Sequence, residues 1–247
     1  MKIITLNTWG GRVREPLMSF VKKHGNNVDI FCFQEIYHDA ADKTKGDFDG
    51  AHLDLFNEIK SLLPNHNGYF CPNVGDYYGI ATFIRKDLYI EASGDITIYD
   101  NPEYDGKGGN HSRKALWHEI GINGKQLSIL NVHGLWNGKG KTDTPERNEQ
   151  SRRIRDFMNS IKGSQIICGD FNLLPETESL SILAEGMQDL VKMNNVTSTR
   201  TSFYTRSETS GKFADYIFAS LDIRVLSFAV CEEEVSDHAA LFVEIDL

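Results

Sequence analysis

The sequence lacks a basic excess. Across 247 residues, 26 Lys and Arg face 35 Asp and Glu, for a net charge of -9. A protein whose main task is gripping duplex phosphates carries a basic footprint. Any such patch here has to be local, and clustered acids can equally mark a cation site. Cysteine is scarce as well. Cys32, Cys71, Cys168 and Cys231 form no CxxC pair and have no His at zinc-finger spacing. Cys32 and Cys168 sit in the apolar runs FCF and IIC, which reads as reduced core thiols in a reducing compartment. No run reaches the length of a membrane span. The opening MKIITLNTWGG is interrupted at Asn7 and Trp9 and is too short for a signal peptide. The expectation is a cytoplasmic monomer. Repeats, low-complexity tracts and obvious linkers are absent, and so are GxSxG and P-loop motifs.

What is present is an ordinary globular mix, 40% hydrophobic and 25% charged. At this length a sizeable core forms without staples, and a single domain over 1–247 is expected. Short runs rich in Ile, Val, Phe and Leu predict strands at Lys2–Leu6, Val28–Phe33, Ile80–Ile84, Ala115–Ile120 and Gln126–Val132. Others fall at Gln165–Cys168, Ala214–Phe218, Ile223–Val230 and Ala239–Ile245. Asn123-Gly124 predicts a type I′ hairpin turn. Helices are predicted at Glu15–His24, closed by Gly25, and Asp54–Leu63, stopped by Pro64. A third opens at Thr144-Pro145-Glu146 and ends by Gly163, and a fourth runs from about Glu178 to Glu185. Alternating elements plus hairpins predict mixed α/β sheets. Three polar, Gly-rich stretches, roughly 38–52, 100–114 and 192–213, are too long for tight connections.

The strand ends carry the chemistry. KIITL ends in Asn7, VDIFCF in Gln34-Glu35, QLSILNV in His133, and QIIC in Gly169-Asp170-Phe171-Asn172. If these strands run side by side, their tips share one edge of a sheet, where open α/β sheets bind ligands. Asp215 starts a strand, the chain runs out and back, and Ser236-Asp237-His238 precedes the last strand. That path returns Asp237 and His238 to the edge where Asp215 began. Taken singly, each is a weak signal, since an Asp or Asn after a strand is usually a turn residue.

With these motifs in this order, ITLNTW, QE, NVHGLW, GDFN, DYIF and SDH, the chain resembles the endonuclease/exonuclease/phosphatase superfamily over nearly its full length. GDFN and SDH together are specific; QE alone is not. The resemblance implies a four-layer α/β/β/α sandwich of two mixed β-sheets flanked by helices. It also implies a divalent-metal-dependent hydrolase of phosphate esters, using Mg²⁺ with Mn²⁺ as a substitute. On that reading Glu35 is the principal metal ligand, Asp237 a second, and Asn7 holds the Glu35 carboxylate. Asp170 orients and deprotonates the attacking water, and Asn172 lies on the same side if the segment stays extended. His133 and His238 donate to phosphate oxygens, with Asp215 holding the His238 tautomer. Whether Asp170 or the Asp215–His238 pair is the base stays open.

Other positions divide between two readings. Trp9 and Trp136 wall the pocket or pack the core. Arg113 and Lys114 meet substrate phosphates or lie in a solvated loop. Arg147 and Gln150 read as structural. The remaining histidines receive no role, and Glu232-Glu233-Glu234 reads as a solvated approach to SDH. The substrate stays open among DNA, phospholipid and small phosphate esters. Against nucleic acid stand the net charge and His133, where DNA-repair members often have Tyr. The cluster Arg152, Arg153 and Arg155 falls on a helix expected to lie away from the tips. A non-catalytic binding module of the same fold is the alternative, and loss of Glu35, Asp170 or His238 would mark it; all three are present.

Overall fold

The computed structural model describes residues 1–43, 50–205 and 211–247. Parts of two expected long loops, 44–49 and 206–210, lie outside the described residues. In chain order the elements are β1 (Lys2–Asn7), a 3₁₀ turn (Trp9–Gly11), α1 (Arg14–His24), β2 (Ile30–Tyr37), α2 (Leu55–Leu62) and β3 (His66–Val74). Next come β4 (Tyr78–Arg85), β5 (Tyr89–Tyr99), β6 (Arg113–Ile122), β7 (Lys125–His133), α3 (Pro145–Ser160) and β8 (Ser164–Asp170). The last are α4 (Glu178–Ala184), β9 (Met187–Asp189), α5 (Leu190–Met193), β10 (Asp215–Ser220), β11 (Arg224–Val230) and β12 (Leu241–Asp246).

The strands form two six-stranded sheets, ordered β11-β12-β1-β2-β4-β3 and β5-β6-β7-β8-β10-β9. Each has one parallel pair at its centre, β1–β2 and β7–β8, flanked by antiparallel strands. A helix links each parallel pair, as a parallel connection requires. Period-2 alternation sorts the layers. In β1 and β2, Ile3, Ile30 and Cys32 join the core shared with β7, β8 and β10 of the second sheet. Ile4, Leu6, Phe31 and Phe33 face the other way, onto Leu17, Phe20 and Val21 of α1 and Leu55, Phe56 and Ile59 of α2. On the far side, α3 contributes Ile154 and Met158, and α4 contributes Leu180 and Leu183. The result is the four-layer α/β/β/α sandwich.

Local chemistry sets the boundaries. Thr144 caps α3, its side chain accepting from the Arg147 N–H at 3.3 Å, and Pro145 occupies the first turn where a donor is not needed. Asn123 and Gly124 both have positive φ, 51° and 79°, closing β6 on β7 as a type I′ turn. The strands β3, β5 and β9 did not stand out in the sequence. Edge strands β3 (HNGYFCPNV) and β5 (YIEASGDITIY) carry polar residues, Gly or Pro instead of an apolar run. Cys32, Cys71 and Cys168 are buried, Cys231 is half-buried, and all four thiols are free. Among the described residues no helix is long and apolar enough to cross a membrane.

Candidate active site

The strand tips converge, but on the common edge of two stacked sheets rather than of one. In the second sheet, His133 of β7 is in register with Asp170 of β8, and Asp170 with Asp215 of β10. Register partners point to the same face, so the three form one rung. From the first sheet comes Asn7, whose alternation with Ile3 and Thr5 turns it toward that rung. Its Nδ2 donates to Asp170 Oδ2 at 2.9 Å and to Glu35 Oε1 at 3.1 Å, joining the two sheets. Beneath it, Gln34 Nε2 donates to Asn131 Oδ1 at 2.7 Å and to Thr5 Oγ1 at 3.2 Å, a buried polar layer that fixes the sheets' relative position.

Two residues reach the site by routes that simple alternation does not supply. Strand β2 does not stop at Glu35; it runs on to Tyr37. Glu35 sits in a β-bulge with φ 58°, which reverses the side its carboxylate would otherwise take after Gln34. Asn172 is not in extended backbone, the condition under which it was expected to project to the side of Asp170. Its φ is 54°, and its N–H donates to Asp170 Oδ1 at 2.8 Å, closing a tight turn that swings the amide back to the cavity. The GDFN glycine has its own reason. A Cβ on Gly169 would lie 1.9 Å from the Val132 carbonyl oxygen of the neighbouring strand.

The last segment closes the ring. β12 pairs antiparallel with β1, Leu241 opposite Thr5, so the residues before it arrive beside Asn7. His238 Nδ1 lies 2.9 Å from both Asp215 oxygens, and its Nε2 lies 3.6 Å from Asp170 Oδ2. His133 Nε2 is 3.8 Å from the same Asp170 oxygen. Asp237 Oδ1 is 3.8 Å from His238 Nε2, while its Oδ2 pairs with Arg200 at 3.1 Å. All eight residues predicted as the centre of the site are therefore together. Trp136 and Arg113, predicted to contact substrate, line the same cavity, whose volume is about 540 Å³.

Burial governs the electrostatics. Burial pushes Glu35 up to about 7; the Asn7 hydrogen bond opposes this, and the charges of Asp237 and Asp170 add to it. Burial also raises Asp215 and lowers His238. Burial thus disfavours a charge on either partner, and His238 faces the Asp215 carboxyl through Nδ1 with Nε2 turned to the centre. Three carboxylates, Glu35, Asp170 and Asp237, crowd one cavity. Hard oxygen donors whose mutual repulsion lifts a pKa are a fit for a divalent cation. Asp170, Asp215 and His238 also bring ligand atoms within 4.8 Å of one another. Both Asp215 oxygens already face His238 Nδ1, however, so that pair is closed on itself.

The sequence did not single out several residues now at the cavity. Arg200, Tyr204 and Lys141 line one flank, and Tyr78 and Tyr104 another. Arg200 packs over the Tyr204 ring at 4.3 Å. Thr199 Oγ1 donates to Asp215 Oδ2 at 3.1 Å and so adds a third hold on that acid. Tyr78 opens β4 and the others lie in loops; none carries a periodicity or motif that would have marked it. Arg147 and Gln150 are buried in α3. Arg147 donates to the carbonyls of Thr142 and Gly140, at 2.5 and 2.7 Å, and Gln150 accepts from Leu135 N–H at 2.8 Å. They tie down the loop that follows His133 and carries Trp136. The cluster Arg152, Arg153 and Arg155 lies on α3, and none of the three lines the cavity.

Residues 4–238 match the model of the Endonuclease/Exonuclease/phosphatase family. None of the curated proteins matches the chain. Among solved structures, a mannosyl-6-phosphatase from Bacteroides thetaiotaomicron VPI-5482 superposes with a TM-score of 0.75 at 19% identity, covering 100% of both chains. An endonuclease/exonuclease/phosphatase from Bacteroides vulgatus gives 0.73 at 20%, covering 100% of this chain and 98% of its own. A humanized D. rerio TDP2 gives 0.70 at 15%, covering 100% and 99%. At these identities the superpositions establish the fold. With the family model spanning nearly the whole sequence, the chain belongs to the endonuclease/exonuclease/phosphatase family.

Proposed function

We propose that the protein is a divalent-metal-dependent hydrolase of phosphate esters, acting by direct attack of water. The observation that carries this reading is the position of Asp170. One oxygen accepts from Asn172 N–H and the other from Asn7, with the Nε2 atoms of His133 and His238 at 3.8 and 3.6 Å. A carboxylate held from two sides and facing two imidazoles is placed to orient one water and take its proton. We assign the base to Asp170 on this geometry, since His238 Nδ1 is already taken up by Asp215 and its Nε2 is left to face the phosphate oxygens. Asp215 fixes the His238 ring and stabilises the imidazolium once negative phosphate charge approaches Nε2. His133 and the Asn172 amide complete the set of groups facing the phosphate oxygens.

Glu35 is the residue we assign to hold Mg²⁺ or Mn²⁺, with Asp237 beside it and Asn7 fixing the Glu35 carboxylate at 3.1 Å. The ion, when bound, neutralises phosphate charge and steadies the leaving oxygen. The names of the structural relatives, a mannosyl-6-phosphatase and TDP2, are in keeping with a phosphate-ester substrate. The test is turnover of p-nitrophenyl phosphate and bis-p-nitrophenyl phosphate with Mg²⁺, Mn²⁺ or EDTA. A wild-type rate no higher than that of a Glu35→Ala, Asp170→Ala control would leave a binding module as the reading.

A further inference from the structure

The chain as a whole is acidic, at -9, but its cavity is not. Five cations line it, Arg12, Lys43, Arg113, Lys141 and Arg200, against the carboxylates of Glu35, Asp170 and Asp237. Most of these cations are engaged by the protein itself. Arg12 Nη1 donates to the Trp9 carbonyl at 2.9 Å, Lys43 pairs with Asp76 at 2.9 Å, and Arg200 pairs with Asp237 at 3.1 Å. Lys141 Nζ donates to the Phe213 carbonyl at 2.7 Å.

Arg113 differs. It is 2% exposed, which removes the solvated-loop reading. Nη2 donates to the Gly109 carbonyl at 3.0 Å, whereas Nε and Nη1 have no hydrogen-bond acceptor among the described residues. No carboxylate lies within ion-pair distance among those residues either. A buried guanidinium without a counter-ion is a costly thing to keep. Its field is felt nearby: after burial itself, Arg113 is the next cause holding His111 down at about 3.

Its place in the fold supplies the missing partner. Arg113 opens β6, antiparallel to β7 with Leu116 opposite Asn131. Three residues back along β6, it stands beside the tip that carries His133. An anion bound between His133, Asn172 and His238 is therefore the natural counter-ion. The choice of anion follows from charge and size. A phosphomonoester brings two charges and three non-bridging oxygens; a diester brings one charge, two such oxygens and a second chain. A cavity of about 540 Å³, walled by Tyr78, Tyr104 and Trp136, suits a small ligand better than a duplex.

We propose that the site selects a phosphomonoester dianion on a small polar carrier, and that Arg113 determines this specificity by donating to a non-bridging phosphate oxygen. The proposal rests on the hydrolase reading above for its turnover arm but not for its binding arm. Arg113→Met should lower the ratio of kcat/KM for p-nitrophenyl phosphate over bis-p-nitrophenyl phosphate by about tenfold or more, the worth of a charge-assisted hydrogen bond. Arg113→Lys keeps the charge but loses the fork, and should lower the ratio by a smaller factor. Inorganic phosphate titrated calorimetrically into metal-free protein should bind about tenfold more weakly to Arg113→Met. That variant should melt no lower than wild type, because it removes an unpaired buried charge. An unchanged ratio or an unchanged phosphate affinity overturns the proposal. If neither ester is turned over by wild type, the hydrolase reading falls, and the phosphate titration decides Arg113 alone.

Discussion

Asp170 is the side chain on which the proposed chemistry turns, and its surroundings separate its role from that of Glu35. Asp170→Asn keeps the shape but cannot take a proton, and it keeps only one of the two accepting oxygens that Asn172 N–H and Asn7 Nδ2 now share. It should lower kcat by about 10³-fold, as loss of a positioned base does, while metal affinity measured by calorimetry stays close to wild type. Glu35→Gln should do the reverse first, weakening metal binding before any effect on turnover at saturating metal. Equal effects of both substitutions on metal binding would merge the two roles. Buried histidines set the acid limit of stability, and His118 is the one farthest from the proposed chemistry in role. His118 is 1% exposed, both ring nitrogens lack hydrogen-bond partners among the described residues, and it packs on Tyr69 at 4.7 Å. Burial lowers its pKa from 6.5 to about 4. A folded-state pKa below the unfolded one means stability is fully present above about 6.5 and is lost as pH falls toward 4. Each unit in that window costs on the order of 1 kcal/mol. His118→Phe should flatten the fall in melting temperature between pH 7 and pH 5; an unchanged slope would place the acid sensitivity elsewhere.

At the scale of elements, the two parallel pairs explain why so much of the site could be read from the sequence. Asn7, His133 and Asp170 end strands with long apolar runs, and Asp215 begins one, so each stood at a visible boundary. Where a site residue depends on backbone irregularity, its motif was visible but the backbone that presents it was not. Glu35 looked like a strand exit because a bulge leaves no composition signature, and Asn172 looked extended because one left-handed residue carries no periodicity. Lys141, Arg200 and Tyr204 sit in loops, where no pattern marks a side chain as facing a cavity. Edge strands β3 and β5 were hidden by their polar residues for the reason that makes them good edges. The close approach of β7 to β8 gives a sharp test. Gly169→Ala would place a methyl against the Val132 carbonyl at a φ of 138°. It should destabilise the fold by on the order of 3 kcal/mol in chemical denaturation and take activity with it. A variant that folds and turns over normally would show that β8 can move away from β7.

Over the whole molecule, the two sheets repeat one plan that the sequence did not reveal as a repeat. Each centres on a strand–helix–strand unit, β1–α1–β2 and β7–α3–β8, with antiparallel strands outward on both sides. Stacking the two units brings the carboxyl ends of both parallel pairs to one place, and the chain's last segment lays His238 across it. That is why a site assembled from residues 7 to 238 needs only short reaches. Acid charge elsewhere and cations at the cavity predispose the molecule to small anions rather than long ones. Duplex DNA should therefore bind weakly, with a shallow salt dependence; tight binding with a steep salt slope would point to a basic track along the surface. The most direct measurement is the initial rate on p-nitrophenyl phosphate for protein stripped with EDTA and then given Mg²⁺. The expected result is no turnover when stripped, recovery on adding the ion, and a rate about 10³-fold below wild type in Asp170→Asn with Mg²⁺. Full turnover by the stripped protein, or by Asp170→Asn with Mg²⁺, would contradict metal-dependent hydrolysis centred on Asp170.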